Sequence, residues 1–316
     1  ETSGHPQGYI IKRWDFDHFL VKEALKHPLI ELKEGVEART FEKHDQGYRI
    51  LDQTGQLIAD TPLIIDASGA YSKFSRTEGG LLARDRHYGI AIRAYVSQVN
   101  WGNNPDALEF YLLKDIVPGY LWIFPLPDGK ANIGIGLRKD WYKKRKINLE
   151  STLIQLLRTH PLLAARFKKA QIEGKILGYG LPLGSSAQPI SGDHCLLVGD
   201  AGHLIDPLTG EGIGNAIYSG YLAAQTAARA LKTNNFSAGF LAGYDRNVAR
   251  ILGSEMRITY RLQQLMRFPL MVNLLVKLIN KQKVIQDLLA QLPTDIDIRQ
   301  FIGKPGFWIK NIFLKK

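Results

Sequence analysis

Apolar and polar positions recur along this chain with two different periods, and the changes between them outline its elements. Over 15–26 the apolar residues Phe16, Phe19, Leu20 and Ala24 fall on one helical face, with Pro28 after the end, which predicts an amphipathic helix. Short runs at 37–44, 48–53 and 56–59, with Gly47 and Gly55 between them, predict strands joined by turns. Residues 63–66 read as a short buried strand that runs into a tight turn at Ser68-Gly69. From about 86 to 185 the pattern alternates with period two, predicting antiparallel strands at 89–96, 108–113, 119–124, 130–137 and 178–182. A helix at 149–158 interrupts them. An apolar strand around 196–198 leads through a loop into a helix over 211–232, whose Ala216, Gly220, Ala224 and Ala228 predict a small-residue side that packs closely on a sheet. After Phe240 the pattern is helical to the end, with breaks at Pro269 and Pro293.

The most informative stretch is Leu196-Leu197-Val198-Gly199-Asp200-Ala201-Gly202-His203-Leu204-Ile205-Asp206-Pro207-Leu208-Thr209-Gly210-Glu211-Gly212-Ile213-Gly214. A strand that ends in Gly-Asp puts a carboxylate at its carboxyl end, where open parallel sheets bind ligands. Asp200 there suits sugar-like hydroxyls such as the ribityl chain of a flavin. Gly210 and Gly212 leave a helix start bare of side chains, so its free amides can approach an anion. Glu211 reads as a first-turn acid favoured by the helix dipole. His203 reads as a loop residue that hydrogen-bonds backbone groups rather than as a base.

The whole run resembles the second flavin fingerprint of the aromatic-hydroxylase-like FAD oxidoreductases, and of the geranylgeranyl reductase family in particular. The resemblance implies FAD as cofactor, with Asp200 on the ribityl chain and the backbone of Gly212 and Ile213 at the flavin ring; Pro207 and Gly210 shape the same loop. A second match is Tyr120-x-Trp122-x-Phe124-Pro125, followed after eight residues by Gly134-x-Gly136. Period two puts the three aromatics on one strand face, which in an isolated strand is ordinarily a core face. In the family that motif lines an apolar cavity beside the flavin, so Tyr120, Trp122 and Phe124 are expected to contact a prenyl chain, with Gly134 and Gly136 leaving room for its tail. Arg13, two residues before Asp15, matches a cofactor-contacting arginine that would pair with the FAD pyrophosphate; spacing alone fits a surface ion pair nearly as well. The segment Asp66-Ala67-Ser68-Gly69 departs from the family, with Ser68 where an Asp is usual and Arg76 one residue late. That departure puts in doubt the polar link from the turn to the cofactor.

The expected fold is α/β (α+β): a partial FAD-binding Rossmann-like domain with an inserted antiparallel-sheet substrate domain and a helical C-terminus. The boundaries read 1–85 and 189–238 for the cofactor domain, 86–188 for the insert and 239–316 for the helical region. A length of 316 residues fits about two domains. No Gly-x-Gly-x-x-Gly follows an early strand, and the chain begins with Glu1. The expectation from this is a C-terminal portion that lacks roughly the first quarter of a two-domain chain and binds FAD poorly by itself.

Composition narrows the partners. The net charge of +11 fits an anionic membrane face or lipid diphosphate, since no zinc-finger spacing, RNP motif or long basic block points to nucleic acid. No apolar stretch reaches the length of about 18 residues that spans a bilayer. The basic, aromatic stretch 307–316 and residues 266–292 are candidates for peripheral membrane contact and for the mouth of a lipid cavity. The lone Cys195 heads an apolar strand and reads as a buried thiol in a reducing, cytoplasmic setting. The scattered histidines give no metal motif. The functional expectation is therefore an oxidoreductase that reduces carbon–carbon double bonds of a prenyl (geranylgeranyl-type) lipid through FAD, with NAD(P)H or another donor as reductant. Two alternatives share these residues: a flavin-dependent monooxygenase or halogenase, and a non-catalytic flavoprotein relic that binds lipid or a partner.

Overall fold

The computed structural model describes residues 10–102 and 107–268, with three single positions beyond. The order is α1 (Arg13–Ala24), β1 (Ala38–His44), β2 (Gly47–Asp52), β3 (Leu57–Thr61), β4 (Ile64–Asp66), α2 (Lys73–Thr77), β5 (Tyr88–Ser97), β6 (Glu109–Tyr111), β7 (Gly119–Leu126) and β8 (Lys130–Arg138). Then come α3 (Lys139–Arg145), α4 (Leu149–Thr159), α5 (Ala164–Phe167), β9 (Gln171–Pro182), β10 (Ser191–Gly192), β11 (Cys195–Leu197), α6 (Ile213–Thr233), α7 (Ala238–Ile251) and α8 (Gly253–Leu265). The segments 269–292 and 307–316, for which membrane and lipid-cavity roles were expected, lie outside the continuously described residues.

Three sheets carry these strands. β1, β2 and β3 form an antiparallel meander. β4 pairs in parallel with β11, Ile64 opposite Cys195 and Asp66 opposite Leu197, and β10 adds antiparallel to β11. Two strands distant in sequence thereby end side by side, with Asp66 the last residue of β4 and Asp200 three residues past the end of β11. The third sheet is antiparallel in the order β6-β7-β8-β5-β9. Pro125 lies past the last residue of β7 that β6 pairs, so β7 is an edge there and tolerates the missing N–H.

Each region has its own core. Around β4 and β11, Ile64, Phe74, Leu196, Leu197, Ala223, Leu241 and Tyr244 form one cluster. Behind the five-stranded sheet, Leu121, Ile123, Ile133, Ile135, Leu153 and Leu163 form another. α4 supplies the cover, burying Leu149, Leu153, Leu156 and Leu157 under an Asn148 N-cap that accepts from the Ser151 amide. Cys195 is buried as expected, and burial pushes its thiol pKa up to about 11.

Tyr244 ties the first core together. It is fully buried, and its hydroxyl donates to the Leu197 carbonyl at 2.8 Å. Tyr244→Phe removes that donor and leaves a buried carbonyl short of a partner. The expected cost is about 1.5 kcal/mol in urea unfolding; unchanged stability would mean that the bond contributes nothing.

Several expectations are corrected by packing. α1 starts at Arg13, and it buries none of its residues: Phe19 and Leu20 are exposed. Phe16 of the apolar face is only half-buried, so the periodicity predicted the helix but not a deep burial partner. In α6 the inward positions are Asn215, Ser219, Leu222, Ala223, Thr226 and Ala230, while Ala224 and Ala228 face solvent. The reason is hydrogen bonding. Asn215 Nδ2 donates to the Leu204 carbonyl at 2.8 Å, and Ser219 Oγ accepts from the Gly199 amide at 3.0 Å. These bonds rotate the polar side chains inward, since they satisfy backbone groups that water cannot reach. The C-terminal helical run also breaks at Leu252, between α7 and α8.

Candidate functional site

The Gly199–Gly214 segment wraps the end of β11 and presents its groups to one side. Gly199 has φ +52°, and a Cβ there would meet Ala216 at 2.9 Å, so a side chain would be both strained and blocked by α6. That turn sets Asp200 beside the start of α6: a Cβ on Gly212 would lie 3.1 Å from Asp200 Oδ1. The N-cap is Gly212, which gives α6 no side-chain cap, so the first-turn amides of Ile213 and Gly214 have no intrahelical acceptor. Ile213 itself is 42% exposed. The Asp200 carboxylate is half-buried and accepts no hydrogen bond from the described residues. Burial raises its pKa, against which Arg13 acts to lower it.

Asp206 holds the rest of the loop. Its Oδ1 accepts from the Leu208 amide at 2.9 Å, the Thr209 amide at 2.8 Å and Thr209 Oγ1 at 2.9 Å, while its buried Oδ2 has no partner. Pro207 is buried, and its carbonyl accepts from Gln263 of α8. Sequence reasoning missed Asp206 as the organiser, though an acid two and three residues before amides it can reach is an Asx-turn signal. His203 contributes its backbone at φ +54°. Contrary to expectation its ring makes no hydrogen bond among the described residues, and burial lowers its pKa.

The aromatic strand meets this loop. Tyr120 Oη donates to the Thr209 carbonyl, and a Cβ on Gly210 would come within 3.3 Å of the same hydroxyl. Burial, then Asp206 and Glu211, raise the Tyr120 pKa. Two further links dock the five-stranded sheet here: Leu183 bridges Ile205, and the Gly184 amide donates to the Ile205 carbonyl at 2.8 Å.

Tyr120, Trp122 and Phe124 share one face of β7, as period two requires, while Leu121 and Ile123 of the other face form the core. The aromatic face is thus turned away from that core and stays half-buried. Phe110 of β6 extends it, with its ring 5.5 Å from Tyr120 and 5.4 Å from Phe124, and is 54% exposed. The expected room above Gly134 is filled. A Cβ there would lie 2.1 Å from the Trp122 indole and 2.3 Å from the Ile92 carbonyl, so this glycine exists to let the indole lie across β8. Gly136 is opposite Tyr120 and sits 3.0 Å, by the same measure, from Ala91.

Arg13 and the Asp66 turn both make contacts within the chain. Arg13 pairs with Asp17 of its own helix, Nε to Oδ1 at 2.8 Å and Nη2 to Oδ2 at 2.9 Å. The surface ion-pair reading is therefore the one seen, and hydrogen bonding to Asp17 raises the arginine pKa, with a smaller contribution from Asp200. In the Asp66 turn the departure at Ser68 has a structural explanation. Asp66 accepts from the Ser68 amide at 3.0 Å, from Ser68 Oγ and from Ser72 Oγ, so the carboxylate that shapes this turn comes from the strand end and is fully engaged. Among the described residues no cluster suits a metal ion, and no helix is long and apolar enough to cross a membrane.

Comparison with known proteins gives these observations a context. Residues 88–173 match the geranylgeranyl reductase catalytic domain. The chain is 32% identical over 251 residues to a digeranylgeranylglycerophospholipid reductase of Thermoplasma acidophilum, covering 78% of this chain and 61% of the relative. It is 31% identical over 253 residues to the Thermoplasma volcanium protein of that name, covering 78% and 62%. The chain thus spans about three fifths of the length of these relatives. A geranylgeranyl bacteriochlorophyll reductase-like structure from T. acidophilum superposes with a TM-score of 0.80 at 25% identity, covering 99% of this chain and 75% of that one. A flavin-dependent brominase shares the fold at a TM-score of 0.65 and 20% identity, covering 85% and 70%.

Proposed function

The chain belongs to the geranylgeranyl reductase family, and from that membership we propose that it reduces carbon–carbon double bonds of a prenyl lipid with FAD as its cofactor. The observation that carries this reading is the seam at Tyr120, where an aromatic wall outside the core abuts the loop that bears Asp200 and Gly212.

The donor set fits a flavin. Asp200 is a half-buried carboxylate with no hydrogen bond to spend internally, suited to ribityl hydroxyls. The bare start of α6 at Gly212 and Ile213, shaped by Gly210 and Pro207, offers amides to the anionic edge of the ring system. Held by Asp200 and the amides of Gly212 and Ile213, FAD in its reduced form would supply the hydride for one alkene carbon, with a proton required at its neighbour. The chain's own residues bind and orient. The amides of α6 favour negative charge that develops beside them. Tyr120 holds its proton on Oη against the Thr209 carbonyl, and its raised pKa makes it a poor acid. It therefore acts as a strut between wall and loop rather than as the proton donor. Trp122, Phe124 and Phe110 offer rigid apolar area that excludes water at little entropic cost.

The test is anaerobic. Flavin reduced in the full chain is expected to reoxidise when a geranylgeranyl lipid is added without oxygen, read from the return of its visible absorbance. Reoxidation that needs oxygen would transfer the assignment to a monooxygenase or halogenase, and absence of flavin binding would leave a non-catalytic protein.

A further inference from the structure

We propose that Lys12 and Arg93, which both approach the ring of Tyr95, form an anion site that takes the phosphoryl group of a prenyl lipid lying along the aromatic face. The proposal rests on the reading above that this face holds the prenyl chain.

Register puts Arg93 on that face. Trp122 is opposite Gly134 in β8, and Gly134 is opposite Arg93 in β5, so the arginine shares the aromatic side with only a glycine between them. The other face of β5 is the buried one, with Ala94 and Val96 in the core. Arg93 Cζ lies 4.6 Å from the centre of the Tyr95 ring, and Lys12 Nζ, arriving from the start of α1, lies 5.6 Å from the same centre. Two cations therefore converge on one ring.

No carboxylate among the described residues pairs with either of them. Of the acids nearby, Asp17 holds Arg13, and Glu173, opposite Tyr95 in β9, holds Lys130 at 2.9 Å. A half-buried guanidinium with no hydrogen-bond or salt-bridge partner among the described residues keeps its forked donors free, and that fork matches a phosphoryl group. Like charges gathered without a counter-ion repel, and an anion between them removes the penalty. The placement also suits a long ligand. Arg93 is two residues along β5 from Ala91, which aligns with Gly136 and Tyr120, so the cations lie about 7 Å or more along the strand from the Tyr120 seam. A lipid held by its phosphate at Tyr95 runs its apolar chain over Trp122 towards the loop.

The FAD pyrophosphate has the same chemistry, and the experiment separates the two. Farnesyl phosphate and farnesol share one chain with and without the anion. Their binding to the full chain is measured by equilibrium dialysis, with flavin absorbance and thermal melting recorded on the same samples. Arg93→Gln is expected to weaken farnesyl phosphate about tenfold, to leave farnesol within about twofold and to leave flavin content unchanged. Lys12→Gln, at the half-buried N-cap of α1, is expected to act in the same direction and guards against a folding defect in the first variant. Equal wild-type affinity for the two ligands, with neither variant changing it, overturns the anion site while the prenyl reading stands. Loss of flavin with farnesyl phosphate unaffected assigns the cations to the cofactor and also overturns it. Binding of neither ligand removes the prenyl reading of the face, and the anion site with it.

Discussion

Asp200→Ala is expected to weaken FAD binding about 30-fold, which is about 2 kcal/mol for the loss of charge-assisted hydrogen bonds to the ribityl chain. The same substitution is expected to stabilise the protein without cofactor. Burial raises the Asp200 pKa above its ordinary value, with Arg13 opposing, so the folded state binds this proton more tightly than the unfolded one. The contribution to stability is then complete below the ordinary carboxylate pKa and is lost as pH rises through the raised folded value. Above that raised value the cofactor-free protein bears an ionised, half-buried acid that accepts no hydrogen bond from the described residues. Thermal melts of cofactor-free protein from pH 3 upward should therefore show a decline through the raised pKa that Asp200→Ala flattens. Flavin titration completes the test. Unchanged affinity would remove Asp200 from the cofactor site, and a cofactor-free variant less stable than wild type would make its role structural.

Gly134→Ala is the second large effect, and it acts through packing. The new Cβ would fall 2.1 Å from the Trp122 indole and 2.3 Å from the Ile92 carbonyl. An indole can rotate away, but the carbonyl belongs to a strand paired on both sides. The expected cost is about 3 kcal/mol in urea unfolding, with loss of the Trp122 Nε1 bond to Asn132 Oδ1, now 3.2 Å. Trp122 emission should shift to the red as the ring is pushed into water. Gly136→Ala, whose Cβ would come closest to the Ala91 methyl at 3.0 Å, with the Ile90 carbonyl at 3.4 Å, is expected to cost about 1 kcal/mol. Equal stability of the Gly134 variant and wild type would show that the indole does not lie where this geometry has it.

Local patterning carried much of the architecture. β5, β7 and β8 of the five-stranded sheet were legible because one face of each is buried, and burial imposes period two. β9 was read short, from 178 rather than Gln171, since Gly174 and the exposed residues of its first half give no alternation. α3 and α5 were missed because they are short and lack a buried stripe long enough to register as period 3.6. The Asp200 loop was legible for a different reason. A strand that ends in Gly-Asp and a helix that opens without side chains are local requirements, written into consecutive residues.

The sequence by itself determined the longer strands and helices, the composition of the loop from Gly199 to Gly214, and the fact that Tyr120, Trp122 and Phe124 share a face. Tertiary structure alone decided which side of each element is inward and what meets across it. α6 turns Asn215 and Ser219 inward because distant backbone groups need partners. Gly134 serves the Trp122 indole because the register of β7 on β8 brings them together. Lys12 and Arg93 share a ring although about eighty residues separate them, since helix α1 and strand β5 converge only when the chain is folded. Period and turn chemistry are properties of neighbouring residues, whereas rotation, register and charge convergence depend on contacts between residues far apart in the chain.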